Sequence, residues 1–261
     1  GVAMGKAGTE AAREAADVVL LDDSFASIYE AVKLGRYIFE NIRKVVFFLL
    51  SSGAGEVVAL LGALAINWQV NGQTALPFLA AQILWINLVT NGLQDLALAF
   101  EPGEDFVLRR PPRGMRTRIF DRIVTTYTVV VGLLFGVGTL AIFRHVLLDS
   151  GSHLHGDLRL AQTAAVTTMV MFQFVHAINC RSLVRSIVRI PVLSNLFLAV
   201  SLVLAAGAQL AFVYWPPLQR VFGTVDLPVR YWGYIILLSL AAVVALELCK
   251  LFVRRRRWHL R

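Results

Sequence analysis

Residues Gln82–Glu101, QILWINLVTNGLQDLALAFE, are the most informative part of the sequence. It is apolar enough to lie in a lipid bilayer, yet polar residues recur along it. At about 100° per residue these polar residues fall on one side of an α-helix, and they are Asn87, Thr90, Asn91, Gln94 and Asp95. An ionisable residue inside a membrane span costs roughly 2.5–3.5 kcal/mol and by default indicates a functional site. We infer that a bound cation offsets the cost of Asp95.

The composition of the whole chain agrees with a membrane protein. Of its 261 residues 57% are hydrophobic, and the mean hydropathy is +0.66, whereas a soluble domain averages about 45–50% apolar residues. The net charge of +8 does not indicate a nucleic-acid partner, because no basic face with interleaved aromatic residues is available. Cys180 and Cys249 form neither a disulfide framework nor a metal-binding spacing.

Apolar runs of about 20 residues predict six transmembrane helices. Their predicted bounds are 45–66, 77–100, 123–147, 161–179, 193–214 and 231–253. A charged amphipathic segment, 27–44, continues directly into the first span and predicts a helical stalk. The whole of 45–261 is then a transmembrane cation-transport domain. The predicted fold class is mainly α, a polytopic transmembrane bundle.

The first 26 residues have a different pattern, typical of α/β structure. Val2–Met4 and Val18–Leu21 predict short strands, the second of them buried, and Thr9 is placed to cap the helix between them. Two strands cannot form a folded core alone. We therefore expect residues 1–26 to be the end of a larger domain that continues upstream of Gly1.

Positive charge in the connections predicts the orientation. The loops after the second and fourth spans and the tail Arg254–Arg257 are basic, whereas the first and third loops carry little positive charge. Basic loops stay cytoplasmic, so the protein is predicted to be an integral multi-pass membrane protein with both ends of this chain cytoplasmic.

Three local patterns add detail to the predicted bundle. Gly132-x-x-x-Gly136 indicates a close-packing face for a neighbouring helix of the same chain. Glu247 and Lys250, three residues apart near the membrane interface, predict a snorkelling pair. Asn91-Gly92 predicts a local unwinding that frees backbone carbonyls for an ion.

The first span also carries a candidate ion ligand. Glu56 is predicted to lie within the hydrocarbon beside small residues that allow close helix approach, namely Ser51, Ser52, Gly53 and Gly55. Other roles remain open at this point: Asn87, Thr90 and Gln94 could hydrogen-bond neighbouring helices, and Glu56 and Asp95 could be protonated. His176, near the cytoplasmic end of the fourth span, is expected to be a packing or interfacial residue and not an ion ligand.

The order of several motifs resembles one family. GVAMG, GTEAAREAADVVLLDDSF, GRYIFENIRK, SSGAGE and LWINLVTNGLQDLALAFEP are similar to the C-terminal part of type II P-type ATPases, the cation pumps that include the sarcoplasmic reticulum calcium pump and the sodium pump. The resemblance implies that residues 1–26 end a haloacid-dehalogenase-like phosphorylation domain and that the six spans are the family's membrane helices five to ten. The family's DKTGT, TGES and GDGxNDxPAL motifs do not occur in this chain, so no catalytic residue is assigned here. ATP and Mg²⁺ are expected to bind a headpiece elsewhere in the parent protein.

The resemblance also implies a set of metal ligands. Glu56, Asn87 and Thr90 match ion-binding positions of the family, and Gln173 lies approximately where the eighth helix has a glutamate. Departures occur at Gly53, where calcium pumps have Asn, at Asn91, where they have Asp, and at Asp95, where they have a small residue. The implied metal site is therefore Glu56, Asn87, Thr90, Asn91, Asp95 and Gln173.

These residues imply the membrane part of an ATP-driven cation pump, with the bilayer, the transported cation and the rest of its own chain as partners. Two carboxylates among amides fit one divalent ion, and the resemblance favours Ca²⁺; Na⁺, K⁺, Mg²⁺ and Mn²⁺ remain alternatives. A different class of function is a non-enzymatic membrane module, either a passive channel or a binding partner. A secondary transporter is disfavoured, because the first three spans show no internal similarity to the last three.

Overall fold

The computed structural model describes residues 1–103, 122–149, 157–182 and 185–258. The chain divides into two compact units, one of Gly1–Glu40 with Pro102–Arg116 and one of Asn41–Glu101 with Thr117–Arg261. Most of the predicted basic loop between the second and third spans, and the polar loop before the fourth, lie outside the described residues.

The first unit contains the predicted α/β segment. β1 (Val2–Met4) pairs in parallel with β2 (Val18–Leu20), and α1 (Glu10–Ala15) lies between them in sequence. The Thr9 hydroxyl accepts a hydrogen bond from the Ala12 N–H at 3.3 Å, which confirms the predicted cap. The second strand is only partly buried as predicted: Leu20 is buried, whereas Val18 is 54% exposed, because two strands and a six-residue helix offer too few partners to cover it.

An aspartate ties the two strand ends together. The Asp23 carboxylate accepts backbone N–H bonds from Lys6 at 2.9 Å and from Ala7 at 2.7 Å. These bonds favour the charged carboxylate, the Lys6 bond most strongly, and they lower the pKa of Asp23 below its usual value.

α2 (Phe25–Ile66) is one continuous helix of 42 residues, as the sequence predicts for the stalk and first span. It ends at Ile66, and the next residue, Asn67, has a positive φ of 55°. A short hairpin follows, in which β3 (Gln69–Val70) pairs with β4 (Gln73–Thr74). Its turn is Asn71-Gly72, with φ values of 53° and 77°, the residue pair that a two-residue hairpin turn favours.

The second predicted span consists of three consecutive helical segments. α3 (Ala80–Trp85) leads into a π-helical turn, Ile86–Asn91, and α4 (Gly92–Ala99) completes it. Gly92 keeps right-handed helical angles, φ −57° and ψ −39°. The predicted unwinding at Asn91-Gly92 is therefore wrong. The chain widens into a π turn, which occurs often at functional sites, and does not leave the helix.

The remaining described α-helices are α5 (Arg122–Asp149), α6 (Leu158–Cys180), α7 (Leu196–Tyr214), the short α8 (Pro216–Phe222) and α9 (Val229–Trp258). Four of them, α5, α6, α7 and α9, agree with the predicted spans in position, whereas the short α8 lies between the last two predicted spans. Five described helices, α2, α5, α6, α7 and α9, are long and apolar enough to cross a membrane. The segment 80–99 is not among them because its three parts are each short. The structure is thus a mainly α, polytopic bundle, and the count of six spans stays a prediction.

Aromatic rings and glycines hold the helices of the second unit together. Phe47 of α2 stacks on Tyr127 of α5 with ring centroids 5.0 Å apart, and Phe135 of α5 stacks on Phe172 of α6 at 4.9 Å. A Cβ on Gly132 would lie 2.7 Å from the Ala54 Cβ of α2. The predicted glycine face is therefore confirmed as a contact between two helices of this chain.

The last helix, α9, is hydrogen-bonded to the C-terminal end of α6 and to the connection that follows it. Lys250 is buried, and its Nζ donates to the backbone carbonyls of Asn179 at 2.8 Å and Arg185 at 3.2 Å. Glu247 accepts the Ile187 N–H at 2.9 Å. The predicted pairing is confirmed, because Lys250 Nζ lies 3.8 Å from Glu247 Oε1. The predicted snorkelling is wrong, because two backbone carbonyls and an N–H give both charges partners inside the protein.

Candidate cation-binding site

Glu56 lies in the middle of α2 and is buried between two other helical segments. Its Oε2 accepts a hydrogen bond at 2.9 Å from the Asn87 amide of the π-helical turn. Its Oε1 lies 3.5 Å from the Gln173 amide nitrogen of α6. The carboxylate predicted in the first span therefore has amide groups from two other predicted spans as its neighbours.

Two further residues extend this arrangement. The Thr90 hydroxyl donates to the Gln173 Oε1 at 3.0 Å and lies 2.5 Å from the Ile86 carbonyl oxygen. The Asn91 amide donates to the Asn87 Oδ1 at 3.3 Å. We name the five connected residues the Glu56 network: Glu56, Asn87, Thr90, Asn91 and Gln173.

Local sequence explains why these residues meet. Three members, Asn87, Thr90 and Asn91, lie in the π turn, whose i→i+5 pattern widens the helix. On α2, the glycine at position 55 precedes Glu56, and a Cβ there would come 2.8 Å from the Phe135 Cβ of α5. The small residue thus lets α5 approach the turn of α2 that holds the carboxylate.

Asp95, the remaining predicted ligand, is not joined to this network. It is half-buried, and its Oδ1 has no hydrogen-bond partner among the described residues. The same holds for the Asn91 Oδ1 and for both amide atoms of Gln94. Across the described ranges, no cluster of three or more His, Cys, Asp or Glu side chains is found that could hold a metal by itself. The structure therefore joins five of the six predicted ligands and leaves Asp95 one helical turn beyond Asn91.

The donor set is chemically suited to a hard cation. Carboxylate, amide and hydroxyl oxygens are the ligands that such ions take. The Asn87 and Gln173 amides present nitrogen to the carboxylate as hydrogen-bond donors. Rotation of either amide by 180° would present its oxygen instead, so the same side chains can stabilise Glu56 without an ion or coordinate one beside it.

His176 has a packing role, as predicted. Its Nε2 lies 2.6 Å from the Ser51 hydroxyl, and its ring is surrounded by Phe47, Phe48 and Phe135 at centroid distances of 5.2–5.5 Å. It is fully buried. The serine predicted to lie near the ion site therefore bonds this histidine and its own helix backbone, not a member of the Glu56 network.

Sequence reasoning missed a second buried polar cluster, at the end of the second span. Arg181 Nε donates to Glu101 Oε1 at 2.9 Å, and both side chains are at most 5% exposed. Asn195 donates to the other Glu101 oxygen at 2.7 Å, and the Asn41 amide donates to the Glu101 carbonyl at 2.7 Å. One signal could have found the pair. Glu101 lies just after the second predicted span and Arg181 just after the fourth, and the orientation rule places both of these ends on the same side of the membrane.

Comparison with known proteins agrees with this architecture. A family model described as "Cation transporting ATPase, C-terminus" matches residues 75–252. "Calcium-transporting ATPase 1" of Bacillus cereus is 36% identical over 266 residues, which cover 96% of this chain and 29% of that protein. "Calcium-transporting ATPase" of Bacillus subtilis is 38% identical, with coverages of 92% and 26%.

A human relative shows that the similarity extends beyond bacteria. "Calcium-transporting ATPase type 2C member 1" of Homo sapiens is 31% identical over 98% of this chain and 27% of its own length. The chain thus spans between about a quarter and three tenths of the length of these relatives. The family match, the relatives and the helical bundle together show that this chain belongs to the cation-transporting P-type ATPases of type II and corresponds to their C-terminal membrane part.

Proposed function

We propose that this chain is the membrane part of an ATP-driven cation pump. It binds the transported cation between its first two spans and moves it across the membrane, coupled to aspartyl phosphorylation in a headpiece of the full-length protein. ATP and Mg²⁺ would bind that headpiece. The names of the relatives, which are calcium-transporting ATPases, favour Ca²⁺ as the cargo.

The observation that carries the proposal is the Glu56 network. A carboxylate buried in a membrane span is costly unless polar groups or a cation contact it. Glu56 is contacted by amide side chains of two other helical segments. A site built from separate helices changes whenever those helices move relative to one another. Such a site can release its ion when a distant reaction shifts one helix.

Each residue has a distinct role in this proposal. Glu56 and Asp95 supply negative charge, while Asn87, Thr90, Asn91 and Gln173 supply neutral oxygens. α2 is continuous from Phe25 to Ile66, so a displacement at its start can be transmitted to Glu56. Two carboxylates give a single divalent ion zero net charge, and this favours one Ca²⁺ per cycle over two.

The test uses the full-length protein in sealed membrane vesicles. ATP hydrolysis is measured against Ca²⁺, Mn²⁺, Mg²⁺, Na⁺ and K⁺. We expect Ca²⁺ to stimulate hydrolysis and Glu56→Gln to raise the half-saturating Ca²⁺ concentration by about tenfold or more, equivalent to at least about 1.4 kcal/mol.

The matched control is Glu247→Gln. It neutralises another carboxylate of the bundle, and the glutamine can still accept the Ile187 N–H. It should leave the half-saturating concentration unchanged. Equal Ca²⁺ dependence in Glu56→Gln and the unsubstituted protein would remove Glu56 from the site. Cation flux through vesicles without ATP would instead support a passive channel.

A further inference from the structure

Four buried polar atoms lie without partners on one turn of the second span. They are the Asn91 Oδ1, both amide atoms of Gln94 and the Asp95 Oδ1, and within the described ranges none has a hydrogen bond. Gln94 is 0% exposed and Asn91 is 1% exposed. A buried amide left without any bond costs about 1–3 kcal/mol. Three of the four atoms are oxygens, so a cation bound at this turn can supply contacts for them.

The three residues face the same way. They occupy positions i, i+3 and i+4 of a helix, where side chains are neighbours with Cβ atoms about 5–6 Å apart. α4 packs against α7 and α6 here, so the face is inside the protein and not at its lipid surface. We name these residues the Gln94 position: Asn91, Gln94 and Asp95.

Charge separates the Gln94 position from the Glu56 network. Glu56 has the amide of Asn87 against its carboxylate at 2.9 Å. Asp95 has no ion pair and no hydrogen bond in the described part of the chain. A carboxylate beside two neutral amide oxygens carries one negative charge. A monovalent cation would balance that charge, whereas a divalent ion would leave one positive charge in excess in a low-dielectric interior.

We propose that the Gln94 position is a second cation-binding site, specific for a hard monovalent cation such as Na⁺ or K⁺. The proposal rests on the proposed function, because Asp95 is also a ligand of the divalent cation proposed there. In the arrangement seen here Asp95 is apart from the Glu56 network and takes the monovalent ion. When both carboxylates close on one divalent ion, the monovalent ion must leave. Binding of the two kinds of ion is therefore competitive.

The first test is thermal unfolding of the purified full-length protein in detergent, which does not require pump activity. Salt is supplied as NaCl, KCl or N-methyl-D-glucamine chloride at equal ionic strength and about 100 mM. A ligand that binds only the folded state raises the unfolding midpoint, and we expect NaCl or KCl to raise it by about 0.5–1 °C over the organic cation, because the shift per kcal/mol falls with chain length. The salt that raises the unfolding midpoint identifies the bound ion.

Two variants locate the effect. Gln94→Leu removes the unpartnered amide and should abolish the difference between the metal cation and the organic cation. Gln209→Leu is the control, because it replaces a buried glutamine whose amide already bonds Trp85 and Thr167; it should retain the difference. The readout is a difference within each variant, so a general loss of stability does not produce it.

The second test is competition. In the unsubstituted protein, the responding monovalent ion, supplied at about ten times its own dissociation constant, should raise the half-saturating Ca²⁺ concentration for ATP hydrolysis by about tenfold. If neither NaCl nor KCl shifts the unfolding midpoint, the proposal is overturned, and the polar atoms are hydrogen-bonded to water instead. An equal shift in Gln94→Leu also overturns it. Failure of the pump proposal is seen separately, as absence of any cation-stimulated hydrolysis.

Discussion

At the scale of single residues, the Glu101–Arg181 pair shows how this chain holds a charge inside the bundle. All three guanidinium nitrogens of Arg181 donate hydrogen bonds: Nε donates to Glu101, and the other two donate to the Pro191 carbonyl at 3.0 Å and to the Ser194 hydroxyl at 2.5 Å. Glu101 in turn accepts from Asn195. The pair therefore fastens the end of the second span to the connection that follows α6. A buried ion pair with all its hydrogen bonds made is costly to break on one side only.

This asymmetry gives a prediction on stability. Arg181→Met leaves Glu101 charged and buried with only Asn195 against its side chain, and we expect a loss of about 3 kcal/mol in the free energy of unfolding. The double variant Arg181→Met with Glu101→Gln removes both charges and should recover most of that loss. Urea unfolding of the full-length protein in detergent measures the two single variants, Arg181→Met and Glu101→Gln, and the double variant. Single-variant costs that simply add in the double variant would show that the two residues do not act as a pair.

At the scale of elements, glycines determine how closely α2 and α5 approach. A Cβ on Gly136 would lie 2.5 Å from the Val58 Cβ and 2.9 Å from the Gly55 carbonyl oxygen. The second of these is backbone and cannot rotate away. The two helices would have to separate, and Gly55 is next to Glu56 in the chain.

Gly136→Ala should therefore reduce both stability and ion binding. Overpacking of this kind costs about 1–3 kcal/mol, and the displaced Glu56 should weaken Ca²⁺ stimulation of ATP hydrolysis. Gly207→Ala is the matched control, because a Cβ added to this helical glycine of α7 would meet no described atom within 4 Å. Alanine there should stabilise the protein by about 0.5–1 kcal/mol. The packing argument fails if the two variants have the same unfolding midpoint.

The elements also show what the sequence could and could not predict. Apolar runs predicted α5, α6, α7, α9 and the long α2, because a membrane span must bury a continuous run of backbone polar groups within a helix. The polar stripe predicted that Asn87, Thr90 and Asn91 act together. The π turn could not be predicted, since it differs from an α-helix only in which carbonyl each N–H reaches. The partners of Lys250 and Glu101 lie 71 and 80 residues away in sequence, beyond any periodic pattern.

At the scale of the whole molecule, the number of spans depends on residues 80–99. Five described helices meet the length and composition of a span without them. The three consecutive helical segments of 80–99 together have 20 residues, and at about 1.5 Å per residue they extend about 30 Å, the thickness of the hydrocarbon core. They also carry the Glu56 network's second-span residues. We therefore keep the prediction of six spans.

Six and five spans place two exposed positions differently. Gln73 lies in the hairpin after α2, and Leu193 lies in the connection between α6 and α7. If 80–99 crosses the membrane, three spans (80–99, α5 and α6) separate Gln73 from Leu193, and the two residues are on opposite sides. If it does not cross, they are on the same side. Gln73→Cys should react with a membrane-impermeant maleimide in intact cells, and Leu193→Cys only after permeabilisation. The unsubstituted protein reports the background from Cys180 and Cys249. Labelling of both substituted positions from the outside would reduce the bundle to five spans and place Asn87, Thr90 and Asn91 of the Glu56 network in a segment that does not cross the membrane.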